Sequence, residues 1–259
     1  MARTQDLIRS PSDGWTTVFL ENHDQSRSIS RFTSDAPEHR VAGGKMLALM
    51  MAVLSGTLFI YQGQEIGMTN FPLTWDMSEY KDVDSSNYYK MVAARTNNDP
   101  KALEDAHVSL QHLARDHARV PMSWSTAPHN GFSPPDATAK PWMRPLEDAD
   151  VCNATQQQSD KNSVLAFWKR MLQVRKQHND LLVHGQYDDL DLESKDFFVF
   201  SKTWNEKKAV CICNFTDKKK DLVFPESVMG KKMDLLVSSV DDCEEKKLAA
   251  FEGRIYLLA

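Results

Sequence analysis

The chain has 259 residues, 41 % hydrophobic and 26 % charged, with a formal net charge of −5. That is room for one large domain or two ordinary ones of globular composition, and the negative balance gives no electrostatic reason to expect nucleic acid or an anionic membrane as partner. The opening MARTQDLIRS has no apolar core of the secretory kind, and the longest apolar run, Met46 to Tyr61, is about sixteen residues interrupted by Ser55 and Gly56, short of the roughly 20 a membrane span needs. The expected location is therefore cytoplasmic.

In chain order, residues 1–10 read as the tail of a helix, and Pro11-Ser12-Asp13-Gly14 as a turn. Trp15 to Leu20 is a short apolar run expected as a strand buried on both faces. It ends in Glu21, Asn22, His23, Asp24, Gln25, Ser26 and Arg27, where an ordinary strand exit would use Gly, Pro, Ser or Asn. A helix is expected from about Pro37 to Leu54, capped by Ser34 or Asp35, with Pro37 in its first turn. Thr57 to Tyr61 (TLFIY) is a second apolar strand with a polar end, Gln62 to Glu65. Strand, helix, strand argues for a parallel layer or barrel, and in a (β/α)8 barrel the residues just past the strand C-termini form the active site.

Helices are expected near Ser85 to Arg95, Leu103 to Arg115 and Lys161 to His178. They flank a long, ordered loop over 120–158 that carries Trp124 and Trp142. Beyond residue 180 the composition changes. Short β-type runs at Asp196–Trp204, Lys208–Phe215, Asp221–Phe224, Lys232–Val237 and Arg254–Leu258 suggest an antiparallel sandwich. The expected domains are thus 1–180 and 181–259. The charge runs Lys218 to Asp221 and Asp241 to Lys247 read as solvated turns. The four cysteines have no partner set with metal-ligand spacing and read as reduced structural thiols. Asn153-Ala-Thr155 and Asn214-Phe-Thr216 fit the glycosylation pattern, but without a secretory leader they read as ordinary asparagines.

The stretches FLENHDQSR, FIYQGQEIGM, YKDVDSSNYY and RDHARVPMSW occur in that order. Together they resemble the α-glucosidase and oligo-1,6-glucosidase branch of glycoside hydrolase family 13, over residues 5 to 180 and more weakly beyond. The resemblance implies an α/β plus all-β protein: the C-terminal part of a (β/α)8 barrel, about its last two strands and helices, followed by an antiparallel β-sandwich. The implied chemistry is retaining hydrolysis of small α-glucosides such as maltose, isomaltose or sucrose-like sugars, without a cofactor, metal, nucleic acid or membrane. Asp24 then matches the active-site carboxylate that stabilises the transition state. His23 matches the neighbouring sugar donor, and Arg115 and Arg119 are candidates for holding the non-reducing glucose. Which arginine reaches the sugar is left open.

Each site residue also has a plainer role available. Asp24 could be a strand-end turn aspartate or pair with Arg27, His23 could be a satisfied structural histidine, the arginines could pair with Asp116 or nearby acids, and Glu65 reads as an orienting residue in the barrel mouth. The rings of Trp124 and Trp142 could stack on sugars, but core packing is the expected role. Departures from the family pattern count for more. Retaining hydrolysis needs two carboxylates about 5–5.5 Å apart. In the family these sit in a GFRxD-type motif and at the end of the fifth strand, both before NHD. Here 22 residues precede His23 and neither motif occurs. Val120 and Ser123 stand where Thr and Gln are usual. The expectation is a fragment of a longer enzyme, inactive alone, the alternative being a non-catalytic carbohydrate-binding or interaction protein. Two barrel strands on their own would expose apolar edges, so association of the part before residue 160 is expected. The residues that would decide α-1,4 against α-1,6 preference lie upstream of NHD.

Overall fold

A computed structural model describes residues 2–8 and 14–258 of the chain, so the first three residues of the expected turn at 11–14 lie outside the described residues. Helix α1 (Ala2–Gln5) precedes strand β1 (Thr17–Val18). Helices α2 (Ser28–Phe32) and α3 (Pro37–Val53) then cross to strand β2 (Thr57–Leu58). β1 and β2 pair in parallel, Thr17 opposite Thr57 and Val18 opposite Leu58. Gly56 makes the tight return from α3: its φ is +121°, and a Cβ there would sit 2.7 Å from the Thr16 carbonyl. Arg175 closes the same corner by donating to the carbonyls of Ala52, Leu54 and Gly56, so the bare C-terminal carbonyls of α3 are satisfied.

α3 is apolar on every side from Met46 to Val53, and all eight residues are buried. A helix of that kind must be covered all round. One side meets Val18, Leu20 and Ile29, another meets Val164, Phe167, Trp168 and Met171 of helix α7 (Val164–Gln177), and a third meets the sheet beyond. The cap lies at Ala36 rather than at Ser34 or Asp35: Ser34 Oγ accepts from the Ala36 amide, while the Asp35 carboxyl turns to Ser30 and Gln111.

The two short strands depart from the expectation of burial on both faces. Val18 and Leu20 are buried, but Trp15 is 50 % exposed, Phe19 38 % and Phe59 54 %. Among the described residues β1 and β2 form a sheet of two, and α3 can cover only one side of it.

Helices α4 (Val83–Arg95) and α5 (Pro100–Leu113) form a pair, capped by Asp82 and Asp99. The 120–158 loop is anchored by a second cluster that includes Phe71, Trp75, Val120, Met122, Met143 and Leu146, with Arg144 stacked 4.0 Å over the Trp75 ring. It ends in α6 (Ala154–Ser159), capped by Asn153. Trp124 and Trp142 do not take the expected core role: they are 48 % and 62 % exposed and belong to none of the buried clusters.

After a π-turn at Asp180–His184 comes a five-stranded antiparallel sheet. Its strands are β3 (Gln186–Asp191), β4 (Phe197–Trp204), β5 (Lys207–Asn214), β7 (Met233–Ser238) and β9 (Gly253–Leu258), in the order β3-β4-β5-β9-β7. The faces alternate as a pleated sheet requires. Phe200, Ala209, Cys211, Cys213 and Ile255 turn toward α3, while Val199, Val210, Ile212 and Tyr256 turn outward onto Val228 and Leu248. A small pair, β6 (Lys220–Asp221) with β8 (Lys247–Leu248), accompanies that outer side. The two charge runs are therefore partly strand rather than wholly solvated turn, joined by the Lys219–Glu244 ion pair. Asp221–Phe224 contributes only its first residue to a strand. All four cysteines are free, three of them buried. Asn153 and Asn214 are buried and hydrogen-bonded through their side chains. No helix among the described residues is long and apolar enough to cross a membrane.

Candidate active site

The polar ends of β1 and β2 are held together by a buried ion pair. Arg27 Nη1 lies 3.1 Å from Glu21 Oε2, with both side chains essentially inaccessible to solvent. Glu21 Oε1 accepts from the amide and hydroxyl of Ser28, and Arg27 Nη1 also donates to the Gln62 carbonyl, 2.7 Å away. These bonds pin the loop after β1 to the loop after β2. The partner of Arg27 is thus Glu21, not Asp24. Glu65 accepts from the Gly63 amide, and burial pushes its carboxyl above the usual range, in keeping with an orienting role inside the same loop.

With Arg27 occupied, His23 and Asp24 are free to face outward. Asp24 is 48 % exposed and its amide donates to Asn22 Oδ1, an Asx turn that aims the side chain off the strand end. Asp24 Oδ2 lies 3.1 Å from His23 Nε2. Asp24 Oδ1 accepts from both Arg115 Nη1 (3.2 Å) and Arg119 Nη2 (3.0 Å). Arg119 Nε also donates to the His23 carbonyl at 2.9 Å. The structure therefore assembles all four expected site residues, and both arginines reach the carboxylate. Asn22 borders a groove of about 290 Å³ lined by Thr17, Phe19, Phe59, Ile60 and Tyr61 on the open face of the strands.

The arginines project from a 3-10 turn, Arg115–Arg119, whose middle residues Asp116, His117 and Ala118 are buried. Asp116 is no partner of the arginines. It accepts from the Lys81 and Asp82 amides and from Ser85 Oγ. Burial drops the His117 imidazole to about 3, so it stays neutral while its Nε2 bonds the Leu110 carbonyl. Tyr61 Oη donates to the Ala118 carbonyl, tying β2 to the arginine turn.

Two nearby acids that the sequence left unnamed do pair with the arginines. Asp82 Oδ2 accepts from Arg115 Nε and Arg119 Nη1, both at 2.6 Å, and Asp84 Oδ2 accepts from Arg115 Nη2 at 2.8 Å. Burial opposes ionisation of Asp82, but its hydrogen bonds from Arg115, the Asp84 amide and Arg119 outweigh burial and hold its carboxyl below the usual range. The hydrogen bond that Arg115 donates to Asp82 likewise raises the affinity of the guanidinium for its proton. Three carboxylates thus meet two guanidinium groups. Such a cluster can grip vicinal hydroxyls and can stabilise positive charge developing beside Asp24. Among the described residues no group of three or more His, Cys, Asp or Glu is arranged to hold a metal ion.

Comparison with known proteins gives the family of the chain. Residues 1–185 match the model of the α-amylase catalytic domain, and the chain belongs to that family, glycoside hydrolase family 13. Within it, the chain is similar to an α-glucosidase of Candida albicans (38 % identity, 99 % of this chain, 44 % of the relative). It is equally similar to the oligo-1,6-glucosidase IMA3 of Saccharomyces cerevisiae (39 % identity, 95 % of this chain, 42 % of the relative). The chain therefore spans less than half the length of these relatives. Among solved structures it resembles the trehalulose synthase MutB of Pseudomonas mesoacidophila, with 26 % identity and a TM-score of 0.85 over 100 % of this chain and 46 % of that one. Variants of MutB are in complex with glucose and with the substrate sucrose. Trehalose-6-phosphate hydrolase of Bacillus licheniformis aligns with 29 % identity and a TM-score of 0.83, over 95 % of this chain and 43 % of that one.

Proposed function

We propose that this chain carries the glucose-gripping half of a retaining α-glucosidase site. In this reading Asp24 is the carboxylate that accepts from sugar hydroxyls and stabilises oxocarbenium-like charge. His23 donates to the same sugar, and Arg115 and Arg119 orient both. The observation that carries the reading is the half-exposed Asp24, whose Oδ1 takes a hydrogen bond from each arginine. Residues 1–180 then form the C-terminal part of a (β/α)8 barrel, and 181–259 the accompanying β domain.

The substrate class is small α-glucosides of the maltose, isomaltose and sucrose kind, the sugars suggested by the relatives. The 259 residues contain no GFRxD-type nucleophile motif, and a retaining mechanism requires a nucleophile and an acid/base together. These residues alone are expected to bind sugar without cleaving it.

The test is calorimetry with maltose and isomaltose, paired with release of p-nitrophenol from its α-glucoside. Weak binding that disappears in Asp24→Ala, with no hydrolysis above background, is the expected result. Hydrolysis by the purified 259-residue chain overturns the inactive part. Binding that Asp24→Ala leaves unchanged overturns the site.

A further inference from the structure

The geometry points to Asp82 as the positioning residue of this site: it sets the spacing of the two guanidinium groups on Asp24 and offsets the second positive charge they bring. The proposal rests on the sugar-site reading for its purpose, but its structural content stands on contacts that need no sugar.

Asp82 lies 33 and 37 residues from the two arginines and on a different segment from Asp24, yet a single oxygen, Oδ2, holds both arginines at 2.6 Å. Its side chain is only 3 % exposed, whereas those of Arg115 and Arg119 are 31 % and 20 % exposed and that of Asp24 48 %. The most buried member therefore anchors the more accessible ones. Asp82 is itself fixed from two sides. Its Oδ1 caps α4 by accepting from the Asp84 amide, and its own amide donates to the fully buried Asp116. Position is thus passed from Asp116 to Asp82, from Asp82 to the arginines, and from the arginines to Asp24 and the His23 carbonyl.

Charge gives a second reason for an anion at this point. Two guanidinium groups converging on one oxygen of Asp24 repel each other, and together they would over-neutralise the carboxylate meant to face a developing cation. Asp82 cancels one of those charges where solvent screens it least. Asp84 cannot do this work: its side chain is 76 % exposed and it touches Arg115 alone. An arginine without such an anchor would also have most of its rotamer freedom to lose when sugar arrives.

The test is ligand-free NMR of the arginine Nε–H groups in the whole chain. In the unsubstituted protein, the Arg115 and Arg119 signals should be resolved and slow to exchange; averaging with the exposed arginines overturns the proposal. In Asp82→Asn both signals should be lost while the backbone spectrum stays dispersed. Arg119 Nε–H is the informative probe, because it bonds His23 and not Asp82, so its retention overturns the proposal. Should Asp82→Asn not fold, Asp82→Glu moves the carboxylate by one methylene and is expected to shift both signals; unshifted signals overturn it. Asp84→Asn is expected to leave the Arg119 signal in place, and its loss there would instead make Asp84 the anchor. Failure of sugar binding by calorimetry leaves all of these readings intact, so the two proposals fail separately.

Discussion

Among single residues, the buried ion pair of Arg27 and Glu21 carries the clearest energetic consequence. An exposed pair would contribute little, about 0–1 kcal/mol. Removing one partner of a buried pair strands the other charge, at about 3–5 kcal/mol. Arg27→Met should therefore destabilise the chain by about that amount, measured by urea unfolding; a loss under about 1 kcal/mol would mean that Glu21 finds water or another donor. Lys202 gives a pH signature. It is fully buried beside Ser55, and burial, with the nearby Arg175 charge, drops its amine to about 7. From about pH 7 to 10.5 the unfolded chain holds a proton there that the folded chain does not, so this group makes stability rise with pH across that window and leaves it level below. Unfolding free energies at pH 7, 8 and 9 should climb more steeply in the parent than in Lys202→Met, and parallel slopes would contradict the assignment. The NHD cluster was legible in the sequence because ionisable groups at a strand end are conspicuous. The choice between Glu21 and Asp24 as partner for Arg27 was not legible, because both lie close by in the chain and only the turn at Asn22 separates their directions. Asp82 stayed unread for a similar reason: an Asp before a helix already has a sufficient local role as a cap.

At the level of elements, the four long helices α3, α4, α5 and α7 were readable, while the short helices α2 and α6 were not, since five or six residues are too few to show a 3.6-residue period. The edges were less so. α3 starts at Pro37 as expected, but its cap falls at Ala36 rather than at Ser34 or Asp35, because Pro37 at the first position demands an extended residue before it. β3 was invisible, as QYDDLD carries three aspartates and little β-propensity; pairing along β4 overrides that preference. Caps offer a graded test. Ser163 Oγ accepts from the Ala166 amide at the head of α7 and donates to the Gln157 carbonyl, in buried surroundings. Ser163→Ala should cost about 1–2 kcal/mol in urea unfolding, and Asp99→Ala, at the exposed head of α5, about 0.5–1 kcal/mol. Equal losses would mean that burial adds nothing to the cap.

Across the whole molecule, the fold joins a well-filled core to one uncovered wall. Phe19 and Phe59, each one residue past β1 and β2, with Trp15 just before β1, offer aromatic surface to solvent next to unpaired strand edges. Concentration-dependent association is expected by sedimentation, and Phe19→Lys with Phe59→Lys should reduce it; unchanged association would place the sticky surface elsewhere. Elsewhere the molecule is hard to divide. The parallel pair and the antiparallel sheet both rest on α3, which neither can release without baring the same row of methionines and leucines. Scanning calorimetry should accordingly record one endotherm, not two. A protease that nicks the chain near Gly185 would cut a covalent link and nothing more: the pieces would travel together through a sizing column, and part only when denaturant loosens the helix that each of them clasps.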